Sequence, residues 1–196
     1  MTKRQEQALA TKNKIIHCAI DLFATNTFET ITVKDICQAA EVSIGAFYHH
    51  FTSKADILDQ AYQFFDDEIK KILEENQPDK PLEAIKLLIS KQNSSLNQIG
   101  LQASLQLFKN QLTYGNRYIL NKDRFFYQEM LKNIKKSLDL GILKGDADTI
   151  TAELLSTSRG IAYDWCLNEG AYSLEDRTLK VTDMILDYYK DNKGME

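Results

Sequence analysis

Residues 42 to 51, Val-Ser-Ile-Gly-Ala-Phe-Tyr-His-His-Phe, bring a hydroxyl, a phenol and two imidazoles onto one short segment beside side chains of almost no size. That set suits hydrogen bonding and close approach better than bond breaking. A helix starting near Ser43 turns Val42, Phe47 and Phe51 inward and leaves Ser43, Ile44, Gly45, Ala46, Tyr48, His49 and His50 facing out. Outward Gly, Ala and Ile gain nothing from water, so this face is read as one that meets a partner surface. Chemistry of other kinds has no comparable signature. The chain shows no Gly-x-Ser-x-Gly, P-loop or dinucleotide fingerprint, so it is not expected to be an enzyme. Its three histidines (His17, His49, His50) stand apart from any cluster of cysteines and carboxylates, so neither a metal nor a cofactor is expected.

A partner-facing helix needs a scaffold, and the residues before it supply one. Thr32 to Ala40 reads as a helix with Thr32 as N-cap, Asp35 in the capping-box position and an apolar stripe at Val33, Ile36, Cys37 and Ala40. Two short helices about three residues apart make a helix-turn-helix, whose second member can lie in a DNA major groove. Upstream, Ile15, Ile16, Ala19, Leu22 and Phe23 recur at helical spacing and give a first helix for the pair to pack on.

The run from Thr32-Val33-Lys34-Asp35-Ile36 through Val42-Ser43-Ile44-Gly45-Ala46-Phe47-Tyr48-His49-His50-Phe51 to Ser53-Lys54 resembles the N-terminal signature of the tetracycline-repressor (TetR) family of bacterial transcriptional regulators. The likeness covers about residues 8 to 60 and rests on the apolar spacing, the Tyr-x-x-Phe ending and a lysine three residues later. It implies a dimeric DNA-binding repressor whose C-terminal domain binds a small molecule and thereby loses operator affinity. Carried over, it makes Tyr48, His49 and Lys54 phosphate contacts, with the Thr32 hydroxyl and the N–H groups of its helix offered to another phosphate. Base reading falls to Ser43, Ile44, Gly45 and Ala46, supplemented by Lys34 or His50; none is a bidentate Arg or Asn, so specificity leans on thymine methyl contacts and DNA shape. One departure stands out: Glu41 occupies a turn position where the family often has glycine. If that residue is left-handed it costs roughly 1 kcal/mol and sets a negative charge near the groove.

Charge is distributed in keeping with this. The net charge of the 196 residues is −4, yet residues 1 to 54 carry six basic and five acidic side chains, a balance of +1, and the acidity lies in the remainder. Lys3, Arg4, Lys12 and Lys14 form a short basic arm. Cys18, Cys37 and Cys166 are odd in number and far apart, which indicates buried thiols and no disulfide framework. No stretch reaches a membrane span and the N-terminus carries no apolar run after its charges, so a cytoplasmic protein is expected.

The rest of the chain reads as all-α, nine helices in total. A helix over 53 to 76, ended by Pro78 and Pro81, connects a helix-turn-helix domain (1 to 52) to an effector-binding and dimerisation domain (53 to 196). Further helices are expected over 81 to 99, 101 to 114, 122 to 140, 146 to 169 and 173 to 190, with glycines at 100, 115, 141, 145 and 170 as stops. Phe65, Leu88, Ile89, Leu105, Phe108, Leu112, Phe126 and Met130 form a candidate apolar effector chamber. Gln92 lies on its stripe, where it can bond within the core, reach water or orient a ligand. The last two helices are apolar over a wide sector. Leu155, Ser156, Gly160, Tyr163, Val181, Ile185 and Tyr188 are candidates for a four-helix interface with a second copy, against the simpler reading that both stripes fill an internal core. The rival function is a protein-binding adaptor or coactivator of the same fold that no longer recognises DNA, from which retained phosphate-facing chemistry distinguishes a regulator.

Overall fold

Capping chemistry sets where the first helices begin. The structure, a computed structural model, describes residues 2–76, 78–113 and 117–190. Helix α1 (Lys3–Thr25) opens on Thr2, whose hydroxyl accepts from the Gln5 N–H while the Gln5 side chain accepts from the Thr2 N–H. Helix α2 (Val33–Ala39) repeats the device with Thr32 and Asp35, and α3 (Ile44–His50) starts on Ser43, whose Oγ accepts from the Ala46 N–H at 3.1 Å. There follow α4 (Lys54–Glu75), α5 (Pro81–Thr113), a 3-10 turn (Tyr118–Leu120), α6 (Phe125–Asp139), α7 (Ala147–Leu167) and α8 (Leu174–Tyr188).

The described residues therefore hold eight α-helices where nine were expected, and the difference is α5, which is broken within itself. At Gly100 φ is 79° and ψ 167°, far from helical values, so its two arms match the helices read over 81 to 99 and 101 to 114. A side chain at 100 would be strained by the positive φ and would also set Cβ 3.2 Å from the Ala24 Cα. Tyr114 and the stop expected at Gly115 lie outside the described residues.

The chain divides into two compact units, residues 1–65 with 95–119 and residues 66–94 with 120–196. In the first, α1, α2 and α3 pack on one another around Ile15, Ile16, Ile20, Phe23, Ile36, Phe47 and Phe51, all fully or almost fully buried, with Ile57, Leu58 and Ala61 from the first half of α4 also buried. Val42, expected inward with Phe47 and Phe51, is half-buried. In the second, α7 packs on α6 and α8, and Leu88, Ile89, Phe126, Met130, Ile134, Leu154 and Leu186 belong to a single core. A buried ion pair lies in that unit: Arg124 donates to Asp66 through Nε at 2.9 Å and Nη2 at 2.5 Å, both side chains almost wholly buried. No helix among the described residues is long and apolar enough to cross a membrane.

Candidate nucleic-acid interface

Phe47 and Phe51 fix the orientation of α3. Both rings are buried, with centroids 5.5 Å apart, so the opposite side of this two-turn helix must face out. Ser43, Ile44, Gly45, Tyr48 and His49 are exposed, Ile44 at 51% and Tyr48 at 56%, while Ala46 and His50 are half-buried. The Tyr48 ring stands edge-on to Phe47 at 5.3 Å, which directs the phenol away from the core at the C-terminal end of the helix. The Ser43 oxygen is committed as an acceptor to its own helix, and its O–H remains a donor.

Gly45 needs no space from its own chain. A Cβ built there meets only the Ser43 Oγ at 3.8 Å, an ordinary contact, and the backbone is not left-handed. Glycine inside a helix costs about 1 kcal/mol relative to alanine. The packing around Gly45 leaves room for a larger side chain.

The turn leading into α3 has the strain foreseen at Glu41, whose φ is 51°. Val42 donates its N–H to the Cys37 carbonyl at 3.0 Å and closes the end of α2 around that residue. The negative charge is answered within the unit: Lys14 Nζ lies 2.8 Å from Glu41 Oε2 and holds the carboxyl below its ordinary range, chiefly through this hydrogen bond. Lys14 is thereby engaged on the protein, which the reading of a basic arm did not foresee. His50 is held below the usual histidine range by its partial burial and by the nearby positive charges of His49 and Lys12.

Two residues expected at phosphates are engaged within the protein. Lys54 turns its ammonium into the connection between α1 and α2, donating to the carbonyls of Phe28 at 2.6 Å, Ile31 at 2.7 Å and Glu29 at 3.2 Å, and sits 4.6 Å from the Phe28 ring centroid. An ammonium has three N–H donors, and all three are used here. The Thr32 hydroxyl donates to Asp35 Oδ2 at 2.7 Å and accepts from the Asp35 N–H, so it is closed inside its capping box; those bonds hold the Asp35 carboxyl low. Lys34 is exposed beside it. The outward groups that remain are Lys34, Ser43, Ile44, Gly45, Ala46, Tyr48 and His49.

A signature described as bacterial regulatory proteins, tetR family, matches residues 15–61, from the buried half of α1 into the first half of α4. Residues 15–61 thus carry the N-terminal signature of the TetR family. The HTH-type transcriptional regulator UidR of Escherichia coli K12 is 37% identical over 58 residues, 30% of this chain and 30% of UidR, so the match spans less than a third of that relative. Likeness of fold extends further. A structure described as the molecular basis for control of antibiotic production by bacterial hormones superposes with a TM-score of 0.73 at 16% identity, over 93% of this chain and 98% of that one. Thermus thermophilus FadR in complex with lauroyl-CoA gives 0.60 at 19% identity, over 89% and 92%. At these identities the solved structures establish the fold alone, a TetR-type one, over about nine-tenths of the chain.

Within that fold the remaining candidates separate. Leu88, Ile89, Phe126 and Met130 are buried in the second unit, and Gln92 is half-buried with its Oε1 enclosed and out of reach of any protein donor. In the first unit Phe65 and Phe108 are half-buried, but Leu105 is exposed and Leu112 is 73% exposed, because the stripe of the second arm of α5 turns inward at Ala103, Ser104 and Leu107 instead. On α7 and α8, Ser156, Gly160, Tyr163 and Tyr188 face out, Val181 and Ile185 are half-buried, and Leu155 is buried in its own unit's core beside Leu154. The sequence reading missed Leu167 and Met184, exposed at 63% and 62% and one helical turn from Tyr163 and Tyr188. It also missed Asn93, which is wholly buried with neither side-chain polar atom bonded. Its spacing of four from Ile89 and eight from Ile85 was the available signal.

Proposed function

We propose that this chain is a homodimeric DNA-binding transcriptional regulator in the cytoplasm, with no reaction of its own, and that it acts as a repressor released from its operator by a small, largely apolar effector. The observation that carries the DNA-binding reading is the outward face of α3: an exposed Ile44, a glycine its own chain does not require, and Tyr48 with His49 at the end. Gly45 and Ala46 let a backbone approach base edges, Ile44 suits thymine methyl groups, and Tyr48 and His49 suit flanking phosphates. Residues 1 to 52 do this work, and 53 to 196 hold the effector and pair the subunits. Pairing is supported by the exposed stripe of Tyr163, Leu167, Met184 and Tyr188 and by Gly160, where a Cβ would meet nothing within 4 Å and a second helix has room to come close. Effector binding is supported by FadR, a protein of the same fold described in complex with lauroyl-CoA. In this chain Leu88, Ile89, Gln92, Phe126 and Met130 are the residues we assign to it.

Fluorescence anisotropy with the DNA upstream of the protein's own gene tests the reading. Replacing Tyr48 and His49 by alanine should weaken binding, and removal of any positively charged group from a phosphate should flatten the salt dependence by about 0.9 in the logarithmic slope. Unchanged affinity, or no binding by the unaltered chain, would favour the adaptor. Sedimentation at micromolar concentration should give a dimer, and Y188E should give a monomer.

A further inference from the structure

Among the described residues, two asparagines are buried in helices of the second unit, and only one is satisfied. Asn133 on α6 donates its Nδ2 to the Glu129 carbonyl one turn back at 2.8 Å, the usual way a helical asparagine meets its need. Asn93 on the first arm of α5 is 0% exposed, yet neither its Nδ2 nor its Oδ1 has a protein partner, and the Oε1 of Gln92 beside it is in the same condition. Asn93 follows Ile85 and Ile89 along one ridge, Gln92 follows Leu88 on the next, and all three apolar residues are core residues of this unit. Leaving a polar group buried and unbonded costs about 1–3 kcal/mol. Three such atoms on adjacent residues, in a fold that satisfies Asn133 with ease, mark a place where bonds are completed by something other than protein.

We propose that Asn93, assisted by Gln92, is the polar recognition point for an electrically neutral ligand that presents a hydrogen-bond donor and acceptor side by side, as a carboxamide, lactam or urea does, on an apolar body. This rests on the reading of the second unit as the effector-binding part. An asparagine side chain carries one acceptor and one donor edge in a plane, and an amide matches both at once with two parallel hydrogen bonds. Neutrality follows from the charges buried in this unit. Among the described residues, the buried charged side chains of this unit are Asp66 and Arg124, which hold each other, and Glu129, held by Lys132 at 2.9 Å. An ionised carboxylate or phosphate brought against Ile85, Leu88 and Ile89 would find none of these uncommitted and would lose its hydration without return.

The probe is cyclohexanecarboxamide, small enough to make few demands on shape, titrated into the ¹⁵N-labelled full-length chain at pH 7.5, with cyclohexanecarboxylate as the charged counterpart. The Asn93 side-chain NH₂ pair is identified by its loss in N93L. The amide should shift that pair saturably and the carboxylate should not, and N93L should bind the amide at least about tenfold more weakly, two hydrogen bonds being worth roughly that factor. If N93L does not fold, N93S and the titration of the unaltered chain serve instead. An Asn93 resonance indifferent to the amide, or equal response to the carboxylate, overturns the proposal and leaves the buried amide to internal water. Operator affinity is read separately. Release of DNA by the carboxylate with Asn93 unmoved would overturn the amide class while keeping an effector site. A shift at Asn93 without any change in operator affinity would support the site and overturn the effector reading.

Discussion

Replacing Lys54 by methionine separates a clamp inside the head from a contact with DNA. Methionine keeps the length and apolar stem of the side chain but removes the ammonium from the carbonyls of Phe28, Ile31 and Glu29 and from the face of Phe28. A hydrogen bond from a charged donor contributes about 1.5–3 kcal/mol net. Three bonds share one ammonium at a half-buried position, so screening and non-additivity reduce the set to about 3 kcal/mol. For a chain of this length that lowers the thermal midpoint by about 6–12 °C. The same variant should keep its slope of log affinity against log salt concentration for operator DNA, because all three donors of the ammonium are taken by backbone carbonyls. Differential scanning calorimetry, with anisotropy between about 50 and 200 mM salt, reads the two effects. A midpoint within about 2 °C of the original, together with a slope reduced by about 0.9, would refute the clamp and restore Lys54 to the phosphates.

Three further outcomes are expected. G45A should stabilise the head by about 0.5–1 kcal/mol through helix propensity and yet weaken operator binding by about tenfold, or 1.4 kcal/mol, since the added methyl meets nothing inside the chain; urea melts and anisotropy on the same preparation check both. His50 is depressed in the folded chain below its ordinary 6.5, so its contribution is complete above that pH and declines as pH falls through the lower folded value. Melts from pH 8 to 5.5 should therefore show a decline that H50Q reduces, and an identical decline in the variant would count against it. R124M leaves Asp66 buried without its partner and should cost about 3–5 kcal/mol, whereas R124M with D66L should recover most of that stability, as chemical denaturation would show.

The helix-turn-helix was legible because its signals are local: Thr32 and Asp35 three apart, Phe47 and Phe51 four apart, and small residues between. The inward and outward faces of α3 follow from the same periodicity. Lys54 could not be read this way, since its partners lie 23 to 26 residues earlier and are backbone carbonyls, which leave no trace in residue types. Lys14 and Glu41 are 27 apart and met the same obstacle. Along α5 and α6, helix spacing identified Leu88, Ile89, Phe126 and Met130 as buried but assigned Leu105 and Leu112 to the wrong side, because the second arm of α5 carries two possible stripes and buries the one with the smaller Ala103 and Ser104 beside Leu107. Leu155 shows the complementary failure: a helix between two neighbours buries a sector so wide that apolar residues for the core and for a partner cannot be told apart by type.

The non-helical residue at Gly100 has a consequence for how such a chain can change over generations. In an unbroken helix, one inserted residue rotates everything beyond it by about 100° and turns a buried stripe towards water. A break frees the angular register of the arm before it from that of the arm after it. An insertion or deletion in Pro81 to Ile99 can re-aim the side chains around Asn93 without turning Ala103, Ser104 and Leu107 out of the core. The joint itself stays closed to every residue but glycine by its positive φ and the backbone of Ala24. One immovable position thus lets the segment in front of it be rewritten by length as well as by substitution.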